Sequence, residues 1–159
     1  RRVLFRSLDL ATALPADRQG KMVLDSDQLN GYQLGAIKVG ARQQMSVNAA
    51  LQVADGGDIT LFGPGVNINA NLTAHGGTLN VGNILSQVDP TKGLVVDTIL
   101  AGSAGIRVAG GVRLDTSGRW NNLALDSSSI GGVAYVNGGK VSLRSTGDVN
   151  LGAGSVVEA

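Results

Sequence analysis

The sequence predicts an all-β fold built as a parallel β-helix, a solenoid of about 20 residues per coil. Three observations carry this. Apolar and polar residues alternate with period two over most of the chain. A Gly-Gly restart recurs at near-regular spacing. Aromatic residues are only 3% of the 159 residues while glycine is 24 of them, so the interior must be filled by small and branched aliphatic side chains.

The alternation starts with GGDITLF (56–62), which sets Ile59 and Leu61 on one face and Asp58 and Thr60 on the other. In GVNINANLTA (65–74), Val66, Ile68, Ala70, Leu72 and Ala74 share a face opposite Asn67, Asn69, Asn71 and Thr73. GGTLNV (76–81), GIRVA (105–109), GVRLD (111–115), GGKVSLR (138–144) and GDVNL (147–151) repeat the scheme. Period two is the mark of half-buried strands. No sustained 3.6-residue period competes with it. LSQVDPTKG (85–93) reads as a loop, because Pro90 and Gly93 break regular structure, and a loop or irregular stretch is expected near 85–104.

The unit Gly-Gly-x-apolar-polar-apolar begins at Gly56, Gly76 and Gly138, with a looser copy at Gly110. The interval from Gly56 to Gly76 supplies the coil length. One such repeat cannot bury its apolar face alone, whereas stacked coils can. The whole chain has room for about seven coils of that size. An antiparallel sandwich or barrel would also show evenly spaced short strands. The glycine restarts, the scarcity of rings and the polar asparagine faces favour the solenoid.

Other classes are poorly supported. There is no cysteine, so neither disulfides nor thiolate metal sites hold the chain together. No run of 18 apolar residues exists to span a bilayer. The formal charge is +1, but Arg1, Arg2 and Arg6 supply three of the 13 basic residues; the other 10 face 12 acidic ones. The remaining cations are scattered and no stacking platform accompanies them, so nucleic acid is not an expected partner. The opening RRVLFRS shares none of the repeat pattern. One codon choice for it, AGA CGT GTG CTC TTC CGA TCT, matches the end of a sequencing-library adapter. Residues 1–7 are therefore expected to be a non-native segment, 8–19 a poorly defined lead-in, and 20–159 the β-helix proper.

The stretch GGDITLFGPGVNINANLTAHGGTLNVGN, together with LDTSGRWN (Leu114 to Asn121) and the closing GDVNLGAGSVV, resembles the stalk of filamentous haemagglutinin-like large exoproteins of two-partner secretion systems. The resemblance covers roughly residues 20–159. It implies a right-handed coil and a fibre secreted to the surface of a Gram-negative bacterium through an outer-membrane secretion pore partner. It also implies service as an adhesin or as a toxin-carrying stalk, with a host-surface or glycan receptor. The family's Asn-Pro-Asn secretion motif and a toxin-like module are absent from these residues, so an internal stalk segment is expected, without catalysis. The alternative is a carbohydrate-active β-helix enzyme, a polysaccharide lyase or hydrolase.

His75, the single histidine, reads as a solvated turn residue without a ligand-spaced partner. Asp25 with Asp27, and Asp55 with Asp58, are the closest carboxylate pairs. Asp115, Asp126 and Asp148 are spread out, and Glu158 is the only glutamate. A glycosidase would need two carboxyls facing each other across a cleft. GGDITLFGPG lacks the alternate glycines and repeating aspartates of a calcium-binding β-roll, and no glycine pair fits a phosphate loop. No catalytic, cofactor or metal residue is therefore assigned. Trp120 offers a sugar-stacking platform, but the favoured expectation is packing inside a coil or under a loop. Asn67, Asn69 and Asn71 are expected either to stack on neighbouring coils or to solvate the fibre.

Overall fold

The computed structural model describes residues 22, 24–101, 104–120 and 135–159. The segment 1–7, the lead-in 8–19 and Asp126 lie outside them. The described residues are all-β, apart from one short helix, and their three main sheets are parallel.

The helix, α1 (Ser26–Gly31), is capped by Asp25, whose side chain accepts from the N–H groups of Asp27 and Gln28. Three strands follow, β1 (Ala36–Gly40), β2 (Met45–Val47) and β3 (Leu51–Gln52), each in a different sheet. β4 (Asp58–Phe62), β5 (Gly65–Ile68) and β6 (Leu72–Thr73) revisit the same three sheets in the same order. β7 (Thr78–Gly82) then returns to the first sheet. Here the rotation pauses for an antiparallel hairpin, β8 (Ile84–Val88) and β9 (Val95–Ile99). It resumes with β10 (Gly105–Val108) in the second sheet and β11 (Arg113–Asp115) in the third. A second antiparallel pair, β12 (Arg119–Trp120) with β13 (Tyr135–Val136), interrupts it again. β14 (Lys140–Arg144), β15 (Val149–Leu151) and β16 (Val156–Glu158) complete the last circuit. The stretch expected to be irregular near 85–104 thus contains a regular hairpin. Its Pro90 and Gly93 occupy the turn, where Asp89 accepts from Thr91 and Lys92 N–H.

Register follows the repeat. Ala36 pairs with Asp58 and Asp58 with Thr78 in the first sheet, so the first circuits keep close to the expected coil length. Thr78 then pairs with Lys140, a much longer step, because both insertions fall between them. Among the described residues the chain passes through the three parallel sheets four times; the expectation of about seven coils counted the whole chain. Between β7 and β14 the two antiparallel pairs break the uniform spacing on which that count rested. GVNINANLTA, expected as one alternating stretch, divides into β5 and β6 in different sheets. The alternation nonetheless runs through the corner, with Ile68 and Leu72 fully buried.

The core is the predicted one in kind. Ile59, Leu61, Val66, Ile68, Leu72, Leu79, Ile106, Val108 and Leu114 are buried inside the three sheets. In-register neighbours carry like residues, such as Ile37, Ile59 and Leu79, or Leu51, Leu72 and Leu114. Leu29 and Leu34 pack against this core from the α1 side. Asn30 accepts from Gln52 N–H and donates to the Ala50 carbonyl, so its amide substitutes for a missing strand along the β3 edge.

The Gly-Gly restarts have a physical division of labour. At Gly56 and Gly76 the first glycine of the pair turns the chain with positive φ, 79° and 64°, whereas at Gly110–Gly111 the second does so, with 73°. The second glycine lets one circuit lie on the next. A Cβ on Gly77 would stand 1.8 Å from the Gly57 carbonyl oxygen, and one on Gly139 would stand 1.9 Å from that of Gly77. The same carbonyls accept from Thr78 and Lys140 N–H.

The hairpin insertion is anchored at its root and along its side. Asn83, buried where the β8–β9 hairpin leaves the stack, donates to the Leu100 carbonyl and to Thr146 Oγ1 while accepting from Thr146 N–H. Arg144 grips the hairpin through a bidentate contact with Asp97 (2.6 and 3.1 Å). That contact, with a hydrogen bond from the Ser86 hydroxyl, holds the Asp97 carboxyl below its ordinary proton affinity.

Two measurements check these assignments. Gly77→Ala is expected to destabilise the chain by about 3 kcal/mol, the upper range of overpacking. Gly31→Ala, where a Cβ meets nothing within 4 Å, should change stability by under about 0.5 kcal/mol; denaturant titration reads both. Asn83→Ala removes a satisfied buried amide and should cost about 1–3 kcal/mol. Hydrogen exchange in that variant should accelerate across residues 84–99 before it does in β4 and β7.

Candidate functional site

The densest polar group among the described residues lies on the outer face of the third sheet and at the corner leading to the first. Strand alternation sets it up: Leu114 points inward with no exposure, so Arg113 and Asp115 point outward. The parallel register puts Asp115 opposite Glu158 on one side and Thr73 on the other. His75 follows Thr73 by two positions and shares its face.

The register thus assembles side chains that are far apart in sequence. His75 Nδ1 lies 3.7 Å from Asp115 Oδ1 and 3.2 Å from the Ser117 carbonyl oxygen. The Ser117 hydroxyl donates to Asp115 Oδ1 at 2.6 Å, and its backbone N–H does so at 2.9 Å. Arg113 Nη1 bridges Glu158 Oε2 at 2.9 Å and Asp115 Oδ2 at 3.7 Å. The expectation of a solvated, partnerless His75 is corrected: its side chain is only 14% exposed, with a carboxylate beside it. Sequence spacing could not reveal this, because His75 and Asp115 belong to different circuits and meet only through the β6–β11 pairing.

Serine, histidine and aspartate meet here, but not as a nucleophilic relay. A relay needs the imidazole to take the hydroxyl proton and the carboxylate to orient the imidazole. Here the Ser117 proton goes to Asp115. The Ser117 carbonyl can only accept, so its contact with Nδ1 requires the proton on that nitrogen. The serine hydroxyl, 3.4 Å from Nδ1, then has no basic nitrogen facing it. Burial pushes the Asp115 carboxyl up, but the two Ser117 hydrogen bonds, with His75 and Arg113 nearby, outweigh this and leave its proton affinity below the ordinary value. A general acid needs the opposite shift. Asp115 and Glu158 are neighbours on one strand pair, bridged by a cation, and do not face each other across a cleft.

Other acidic residues lie in caps, turns and strands among the described residues. Asp25 caps α1, and Asp27 sits exposed in its first turn. Asp55 lies in the turn closed by Gly57 N–H on the Ala54 carbonyl and faces Arg119 at 3.5 Å; the left-handed residue there is Gly56, not the aspartate. Asp58 opens β4 between Ala36 and Thr78. Asp148 offers its backbone carbonyl to Ile106 N–H. No cluster of three or more histidine, cysteine, aspartate or glutamate side chains suited to a metal ion occurs among the described residues. Asn69 donates to Asn48 at 2.8 Å, and Asn71 accepts from Arg113 N–H at 2.9 Å, so these two asparagines bridge circuits.

Trp120 departs from the packing expectation. It is 74% exposed and stacks on Tyr135, with ring centroids 6.1 Å apart and planes 12° from parallel. Antiparallel register makes them direct cross-strand neighbours. Tyr135 could not be linked to Trp120 from the sequence, since the stretch between them carries no pairing signal.

No known family profile, curated protein or solved structure matches the chain.

The lowered proton affinity of Asp115 has a pH consequence. Its stabilising contribution is full above the unfolded-state carboxyl range and is lost as pH falls through the lower folded value. Thermal melts of Asp115→Asn and the parent chain should therefore differ most near neutral pH and converge in acid.

Proposed function

We propose that the chain is a stretch of right-handed parallel β-helix. It serves as a non-catalytic stalk and adhesive segment of a secreted surface exoprotein of a Gram-negative bacterium, exported through an outer-membrane pore partner. The observation that carries this reading is the rotation of the chain through three parallel sheets, with like residues in register and glycines stacked at the restarts. Such an arrangement satisfies backbone hydrogen bonds circuit by circuit. Folding can then propagate along the fibre and bias export without a nucleotide. The resemblance of residues 20–159 to exoprotein stalks supplies handedness, location and partner. Several carboxylates support the non-catalytic part: Asp25 and Asp89 cap local backbone, Asp55, Asp97 and Glu158 pair with arginines, and Asp115 is tuned away from general-acid chemistry.

The test is secretion. The complete reading frame containing this chain should be expressed in a Gram-negative host with and without the pore-protein gene encoded beside it. Surface protease accessibility of this segment only when the pore is present is the expected result; retention inside the cell in both cases would sink the reading. Release of reducing ends from a panel of polysaccharides by the purified chain, lost in Asp115→Asn, would instead favour the carbohydrate-active enzyme.

A further inference from the structure

The β12–β13 pair has two unlike faces. Arg119 and Val136 are paired with each other and point one way; Trp120 and Tyr135 point the other. The first face is clamped to the stack. Arg119 reaches Asp55 at 3.5 Å, and Val136 packs so closely over Gly76 that a Cβ there would collide with its side chain. The clamp fixes the direction of the second face, which is presented to solvent: Trp120 is 74% and Tyr135 50% exposed. An arm built only to fill space would turn its rings toward Gly76 and leave the valine outside. This one does the reverse.

The geometry points to a carbohydrate-binding platform at Trp120 and Tyr135, taking oligosaccharides of pyranose units whose equatorial hydroxyls leave flat C–H faces. This rests on the adhesive reading above and names the chemistry of its ligand. Two nearly parallel rings with exposed surface match the apolar face of a sugar, whose C–H groups carry the partial positive charge that an aromatic face attracts. Asn137, which follows Tyr135 by two positions, is exposed and offers an amide to a ligand edged with hydroxyls.

Trp120 is the only tryptophan in the chain, so its fluorescence reports on this platform alone. Titration of the full chain with cellohexaose or chitohexaose should give a saturable change in Trp120 emission. Tyr135→Ala should weaken that binding about tenfold. Trp120→Ala, followed by calorimetry, should lose it. Lys38→Ala, on the outer face of the first sheet, should leave it unchanged. Circular dichroism establishes that each variant keeps its β spectrum. Absence of a saturable change with either oligosaccharide at its solubility limit would overturn the inference, as would binding that survives both aromatic substitutions. Loss of the platform with pore-dependent secretion intact would remove this ligand and leave the stalk reading standing; failure of secretion with sugar binding intact would do the opposite.

Discussion

Backbone lying directly on backbone is the constraint from which the rest of the fold descends. At the start of β7 and again at β14, a glycine rests on the carbonyl of the glycine one circuit below, with no room for a β-carbon between them. That contact sets where each circuit begins. Once the beginning is set, parallel register determines which side chains stack: isoleucine on isoleucine, leucine on leucine, asparagine on asparagine. A slip of one position would turn every apolar side chain outward. The glycine column and the aliphatic column therefore enforce each other, one by excluding volume and the other by filling it.

Much of this was legible in the sequence because the repeat writes the same instruction several times. Ile59, Val66, Ile68, Leu72 and Leu114 could be placed inside from alternation alone, and the glycine pairs could be recognised as restarts. The number of circuits was not legible. Counting assumes uniform spacing, and Pro90 and Gly93 mark a break in the pattern without showing that ILSQV and VVDTI pair across it. The corner at Asn69–Asn71 was hidden for a related reason. Period two continues through it, so a change of sheet leaves no mark on the pattern.

The polar cluster was less legible than the fold. His75, Asp115, Ser117 and Glu158 carry no signal as separate residues. They become neighbours through pairings between successive circuits that an insertion separates in sequence, and pairing partners are a property of the assembled stack. Trp120 was hidden differently. Its motif context suggests packing, but exposure depends on which face of the β12–β13 ribbon is clamped. That choice is made by Gly76 and Asp55, in turns that belong to earlier circuits.

Asn83 gives the architecture a freedom that its strict register would otherwise forbid. One amide closes the root of the hairpin and ties it to Thr146 on the following circuit, so the chain leaves the stack and rejoins it with β10 still in register on β5. The excursion is held at its base by this amide and along its side by the Arg144–Asp97 pair. A gene for such a protein can change what projects beyond those two anchors, and so its surface chemistry, while the sheets beneath are inherited without alteration.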